Sequence, residues 1–164
     1  MRRLLVGMLL VAATLTGCGK DLTTPGQEQS DRLPDVTLAG FAGHPDVDLG
    51  TFKGPAVINL FASWCPPCKR ELPLYAQFAR AHTGVQVLGI NFRETDDTAA
   101  EALLTRSGVA FPVVRDTHDK IVASGLPKLI LVDATGKVVL SRYVEIKSRQ
   151  QLEDLVVRYL KVTL

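Results

Sequence analysis

The stretch that most restricts this chain is Ala56-Val57-Ile58-Asn59-Leu60-Phe61, which runs through Ala62-Ser63-Trp64 into Cys65-Pro66-Pro67-Cys68. Its first six residues are nearly all apolar, β-branched in part and preceded by Gly54-Pro55, which predicts a central strand buried on both faces. Pro66 has the fixed φ that suits the first position of a helix, where its missing N–H costs nothing. The chain therefore passes from buried strand to helix across its cysteines. Cys65 falls at a helix N-terminus, where the dipole and the free N–H groups favour an anion. A thiol so placed has a lowered pKa and a larger thiolate fraction. Cys68 comes one turn later, deeper, and suits a second, resolving thiol. Attack by the first sulfur on a disulfide and resolution by the second is thiol–disulfide exchange.

Two other uses of the pair are a structural zinc site and a structural cross-link. Structural zinc takes four ligands as a rule. Here there is no second cysteine pair, and His44, His82 and His118 are scattered without ligand spacing. Those histidines read as surface or loop residues, and neither a metal nor another cofactor is expected. A bridge between such close neighbours closes a tiny loop and adds little stability. Redox chemistry is the reading that remains.

The third cysteine closes a different kind of segment. Met1-Arg2-Arg3 is a short basic start, Leu4 to Leu15 is mostly apolar, and Leu15-Thr16-Gly17-Cys18 ends it with small residues. That is the layout of an export signal. The apolar run is about 12–15 residues, short of the roughly 20 a spanning helix needs. Leu15-Thr16-Gly17-Cys18 resembles the bacterial lipobox, which implies a signal peptide over 1–17, lipid on Cys18 and a product held on the outer face of the cytoplasmic membrane. The alternative is an ordinary secretory signal with a cysteine in its cleavage region. Disulfides persist on that side of the membrane. Residues 18–32 are polar and rich in helix breakers, as a flexible tether is. Residues 33–164 are long enough for one domain with a real core. With Arg2 and Arg3 removed, 17 basic residues face 17 acidic ones. No basic cluster is interleaved with aromatics, so nucleic acid is not an expected partner.

Along the domain, Asp35 to Leu38 and Val47 to Leu49 read as a short N-terminal β-hairpin around Gly40 and Gly43. Lys69 to His82 continues the helix begun near Pro66, with a kink expected at Pro73. Val85 to Asn91 is a second buried strand. Thr95 to Arg106 reads as a helix with Thr95 as cap, Asp96 and Asp97 on its N-terminal dipole and Gly108 after its end. Pro112 to Val114 reads as a short strand and Asp119 to Ser124 as a short helix. Lys128 to Val132 and Lys137 to Arg142 are strands around the turn Asp133-Ala134-Thr135-Gly136, and Arg149 to Leu160 is an amphipathic helix. Together these predict an α/β fold, a central mixed sheet with helices on both faces.

Phe61-Ala62-Ser63-Trp64-Cys65-Pro66-Pro67-Cys68 resembles the thioredoxin superfamily, in particular its exported branch of TlpA, ResA and CcmG-like proteins. The resemblance covers residues 33–164. It implies a thioredoxin-like fold with a helix-containing insert, for which Thr95 to Val114 is the candidate. It implies that Cys65 is the nucleophile and Cys68 the resolving cysteine, and that Trp64 shapes the surface beside them; packing is the other use of a lone Trp. Asn59 stands where cytoplasmic thioredoxins carry a buried Asp. The exported branch often places its acid six residues after the first cysteine, which is Glu71, and a carboxylate one turn past Cys68 would relay protons to that thiol. A solvated or ion-paired helix residue is the alternative for Glu71. Gly125-Leu126-Pro127 resembles the family's cis-proline segment, which supports substrate backbone beside the disulfide; an ordinary strand-entry proline is the alternative. Lys128 follows where the family commonly has Thr, and Asp119 to Gly125 is shorter than usual.

The resemblance implies a membrane-tethered thiol–disulfide oxidoreductase outside the cytoplasm, exchanging electrons with thiols and disulfides of exported proteins and drawing on a membrane redox partner. Cytochrome c maturation is one such use. Pro66 and Pro67 remove two N–H groups near the Cys65 sulfur, which favours a reducing couple over a disulfide-forming oxidase. A peroxiredoxin-like peroxidase and a non-enzymatic redox-sensing module are the alternatives from other classes.

Overall fold

The computed structural model describes residues 31–164; the signal segment, Cys18 and all but the last two residues of the expected tether lie outside the described residues. Seven strands and three helices follow in the order β1 (Thr37–Gly40), β2 (Val47–Asp48), β3 (Ala56–Phe61), α1 (Pro66–Ala81), β4 (Gln86–Phe92), α2 (Asp97–Ser107), β5 (Val113–Asp116), β6 (Lys128–Val132), β7 (Val138–Tyr143) and α3 (Arg149–Leu160). They form one mixed sheet in the order β2-β1-β5-β4-β3-β6-β7. β3 lies inside it, parallel to β4 and antiparallel to β6, with all six residues buried. That is why its sequence is apolar without alternation. The N-terminal hairpin is present, with Leu38 opposite Val47. Ahead of it, Arg32 bridges to Lys137 at the start of the β7 hairpin.

β3-α1-β4 and β4-α2-β5 are two crossovers that step along the sheet in the same direction, and such steps put both helices on one face. α3 joins them there. Leu72 and Tyr75 of α1, Leu103 of α2 and Leu152 and Val156 of α3 share one core with Val57, Phe61, Leu129 and Leu131 of the sheet. The opposite face, with Ile58, Leu60, Leu88, Ile90, Phe92 and Ile130, is covered by Leu33, Leu38, Leu49, Ile121 and Ala123. Among the described residues no helix lies there, which corrects the expectation of helices on both faces.

The helix expected over Asp119 to Ser124 is the one that does not form. The Asp116 carboxylate takes the N–H groups of His118, Lys120 and Ile121 at 3.2, 3.1 and 2.7 Å. Donors bound to a side chain are lost to a helical ladder. Asp119 also has φ +55°, outside the right-handed helical region. Ile121 and Ala123 are buried all the same, so an irregular segment covers the sheet where a helix was expected.

Two local details also differ from expectation. Asp96, not Thr95, caps α2, its Oδ1 accepting the Ala99 N–H at 2.9 Å. His82 is no surface residue: it ends α1 with a side chain only 17% exposed, its Nε2 2.8 Å from Glu153.

Candidate functional site

β3 ends at Phe61 and α1 begins at Pro66, so four residues turn the chain from sheet to helix. Cys65 is the N-cap of α1, in extended conformation, with Pro66 and Pro67 as the first two helical residues. Neither proline has an N–H to offer. The first donor that reaches back is the N–H of Cys68, 3.3 Å from the Cys65 Sγ. The two cysteines form a disulfide, their Cα atoms 5.3 Å apart. Cys65 is 3% exposed and Cys68 not at all. The sliver of surface left to an attacking or departing sulfur therefore belongs to Cys65.

Pro127 enters β6 through a cis Leu126–Pro127 bond. Lys128, the next residue, pairs with Leu60 near the end of β3, so the proline lies at the sheet edge from which the cysteine turn departs. Leu126 packs against the core cluster that contains both cysteines. A second cis bond, Gly54–Pro55, precedes β3 at the far end; the sequence shows that proline only as a breaker.

Glu71 is fully buried, which removes the solvated alternative. Its Oε2 accepts the Ile146 N–H at 2.8 Å. Burial pushes its carboxyl up to about 8, the negative Glu145 adding to the effect and the Ile146 hydrogen bond opposing it. One turn further, Tyr75 is also fully buried, and burial together with the charge of Glu71 holds its phenol well above the ordinary range. Asn59 is buried on the sheet between Leu129 and Gly89, the amide standing where an ionisable acid does in cytoplasmic thioredoxins.

Trp64 is 51% exposed, and its Nε1 donates to the Arg93 carbonyl at 3.1 Å. A half-exposed ring is a surface feature, not core packing. Lys128 is nearly buried. Its Nζ donates to the Val122 carbonyl at 2.7 Å and lies 5.3 Å over the Tyr143 ring, whose hydroxyl accepts the Ser124 N–H at 2.8 Å. Lys128 thus fastens the segment ahead of Pro127 from the sheet side. The residue that the sequence reading passed over is Glu94. It is buried, and its carboxylate accepts hydrogen bonds from both Ser63 and the start of α2. The signal for it was an acidic residue just past the carboxyl end of a buried parallel strand, the edge at which α/β sheets place their sites.

A disulfide capping a helix that leaves the central strand, beside a cis-proline strand entry, defines a thioredoxin-fold protein of the thiol–disulfide class. The chain belongs to the AhpC/TSA family, whose profile matches residues 30–141, and to its ResA-like thiol–disulfide oxidoreductases. It is 32% identical to the thiol-disulfide oxidoreductase ResA of Bacillus subtilis over 84% of this chain and 83% of that one. It is also 32% identical to ResA of Geobacillus kaustophilus, over 64% of this chain and 63% of the relative, so it spans less than two thirds of that relative's length. A crystal structure from Chlorobium tepidum assigned as a thiol:disulfide interchange protein DsbE superposes with a TM-score of 0.67 at 26% identity, covering 80% of this chain and 96% of that one.

Proposed function

We propose that this protein is an extracytoplasmic thiol–disulfide oxidoreductase that reduces disulfides of exported proteins, tethered to the outer face of the cytoplasmic membrane by lipid on Cys18. The observation that carries the reading is the Cys65–Cys68 disulfide at the first turn of α1. In the reduced protein, the Cys65 thiolate attacks one sulfur of a substrate disulfide. The substrate S–S bond breaks, a Cys65–substrate disulfide forms, and the departing thiolate takes a proton. Cys68 gives its proton to the Glu71 carboxylate and attacks Cys65 Sγ, restoring the Cys65–Cys68 bond and releasing the second substrate thiolate. Two electrons pass to the substrate, and a dithiol partner at the membrane returns them. Pro127 and Trp64 flank the sulfurs as the surface on which substrate backbone rests.

The reducing direction is supported by the donors around Cys65. With prolines at the first two helical positions, the Cys68 N–H is the donor that remains for its sulfur. A sparsely solvated thiolate disfavours the reduced form and lowers the potential of the couple. Apocytochrome c, whose haem attachment needs free thiols, is a substrate of fitting chemistry. The test is the equilibrium potential of the full chain in glutathione buffers, together with turnover on a protein disulfide such as insulin. A value well below that of strong oxidants, about −120 mV, with insulin reduction, supports the reading. A potential near that of the oxidants makes it a disulfide-forming enzyme, absent turnover makes it a sensor, and rapid stopped-flow consumption of peroxide makes it a peroxidase.

A further inference from the structure

Glu94 stands two residues past the end of β4 and is 6% exposed. Four donors converge on its carboxylate. Oε2 accepts the Ser63 N–H at 2.7 Å, and Oε1 accepts the Ser63 Oγ–H at 3.0 Å, the Thr95 N–H at 3.0 Å and the Asp96 N–H at 3.1 Å. Two of the donors belong to the turn that leads into Cys65 and two to the turn that opens α2. None is a cation, so this buried carboxylate is held by dipoles alone, with every donor aimed at its oxygens. A third link joins the same two turns, from Trp64 Nε1 to the Arg93 carbonyl at 3.1 Å. Arg93 has φ +51°, a left-handed conformation uncommon for any residue but glycine. It reverses the chain directly after β4, so that its own carbonyl and the carboxylate of Glu94 both meet the Ser63-Trp64 turn. Backbone outliers of this kind persist where the surroundings over-determine them, and they cluster at functional sites.

We infer that Glu94 is a positioning residue for exchange at Cys65, fixing the Ala62–Trp64 turn that delivers the cysteine to the start of α1; this rests on the redox reading above. The Ser63 backbone is two residues from Cys65, and the turn carries no helical or strand ladder of its own. A further backbone tie is the Cys65 N–H to the Ala62 carbonyl at 3.2 Å. Displacing it by a fraction of an ångström moves the attacking sulfur off the line of the bond it must break.

Glu94→Gln tests this. An ionised carboxylate only accepts, whereas an amide presents one oxygen and one NH2. Whichever way the amide turns, NH2 faces either the Ser63 N–H or the Thr95 and Asp96 pair. Ser63→Ala removes one of the four bonds and no charge. The readout is the rate at which the reduced full chain attacks a small aromatic disulfide, taken on the alkaline plateau, so that the thiolate fraction of Cys65 drops out, with Ser63→Ala, which alters no charge, controlling for thiolate nucleophilicity. Glu94→Gln is expected to lower that plateau about tenfold, Ser63→Ala less and in the same direction, with Trp64 emission shifting in Glu94→Gln. An unchanged plateau in Glu94→Gln overturns the inference, whatever happens to its melting temperature. Should that variant not fold cooperatively, an unchanged plateau in Ser63→Ala overturns it. Failure of the wild type to turn over insulin would instead count against the proposed function, since attack on a small disulfide needs only a competent Cys65.

Discussion

Cys68 and Glu71 lie one helical turn apart on the inner face of α1, and neither has any exposed surface. The sulfur that must lose a proton is thus sealed from solvent, with a carboxyl as its neighbour along the helix. Pushed up to about 8, that carboxyl sits close to the ordinary value of a thiol, about 8.5. A carboxylate raised this far takes a thiol proton with less penalty than an ordinary carboxylate would. Glu71→Gln retains an oxygen for the Ile146 N–H and removes the base. Release of substrate from a trapped Cys65 mixed disulfide is expected to slow on the order of a hundredfold, while the first attack by Cys65 is unaffected. In the wild type the release rate rises with pH and levels off near 8; in the variant that inflection is absent. Single-turnover kinetics resolve the two steps, and equal release rates would remove Glu71 from the chemistry.

The same carboxyl makes stability depend on pH in a direction opposite to that of a salt-bridged acid. Its folded pKa is raised, to about 8 from the 4.5 of an exposed carboxyl. Between those values the unfolded chain ionises and the folded one holds its proton. The contribution is therefore fully present below about 4.5 and is lost as pH rises through about 8, with a slope of at most about 1.4 kcal/mol per pH unit. Denaturant unfolding of the oxidised protein between pH 5 and 8 should show a decline that Glu71→Gln flattens. Parallel curves for the two proteins would place the carboxyl in water.

The hydrogen bond that ties the Trp64 side chain to the fold goes to the Arg93 carbonyl, and half of the residue's surface is left to solvent. Its removal by Trp64→Ala should cost stability only about 1 kcal/mol. The loss falls instead on binding of a protein partner across the Cys65 edge. KM for a protein disulfide is expected to rise several-fold with kcat nearly unchanged, the pattern of a contact equally strong in ground and transition states. A small disulfide, too short to reach the indole, should lose no more rate than Ser63→Ala does, the share of the Trp64–Arg93 tie in holding the turn. A large fall in kcat with both substrates would mean that Trp64 shapes the reacting atoms themselves.

What the sequence revealed was whatever depends on local chemistry. The buried β3, the cysteines at the helix start, the Gly108 end of α2 and the Asp133 turn of the β6–β7 hairpin each follow from residues within a few positions of one another. The site was legible in part: Cys65 and Cys68 are marked by type and spacing, whereas Pro127 came through the resemblance of Gly125-Leu126-Pro127 to a cis-proline segment. Glu71 stayed ambiguous because its burial is decided by Ile146, 75 residues away. Glu94 was missed because its partners at Ser63 lie 31 residues back. The face on which the helices pack was misjudged for the same reason, since it turned on whether the Asp119 segment coils, and that is settled by an Asp116 side chain that takes the donors first.

That last relationship can be tested by itself. Asp116 is 1% exposed, and its two oxygens bind three backbone N–H groups, the shortest at 2.7 Å from Ile121. In Asp116→Asn the amide must turn NH2 toward either Ile121 or the His118 and Lys120 pair, leaving at least one N–H without an acceptor. An unmet buried donor costs about 1–3 kcal/mol, which in a domain of this size lowers the melting temperature by roughly 3 to 6 °C per kcal/mol. The damage should be local before it is global. Ile121 and Ala123 cover one face of the sheet without any helix to hold them, so their segment opens first, and Lys120 at its centre becomes a trypsin site. Cys65 stands on the other side of β3 and is fastened through Ser63, so its attack on a small disulfide should be retained. A protein substrate needs the edge at Leu126 and Pro127, which this segment feeds, and its KM should rise. Cleavage after Lys120 at the wild-type rate, with an unshifted melting temperature, would show that the segment holds its shape without the Asp116 carboxylate.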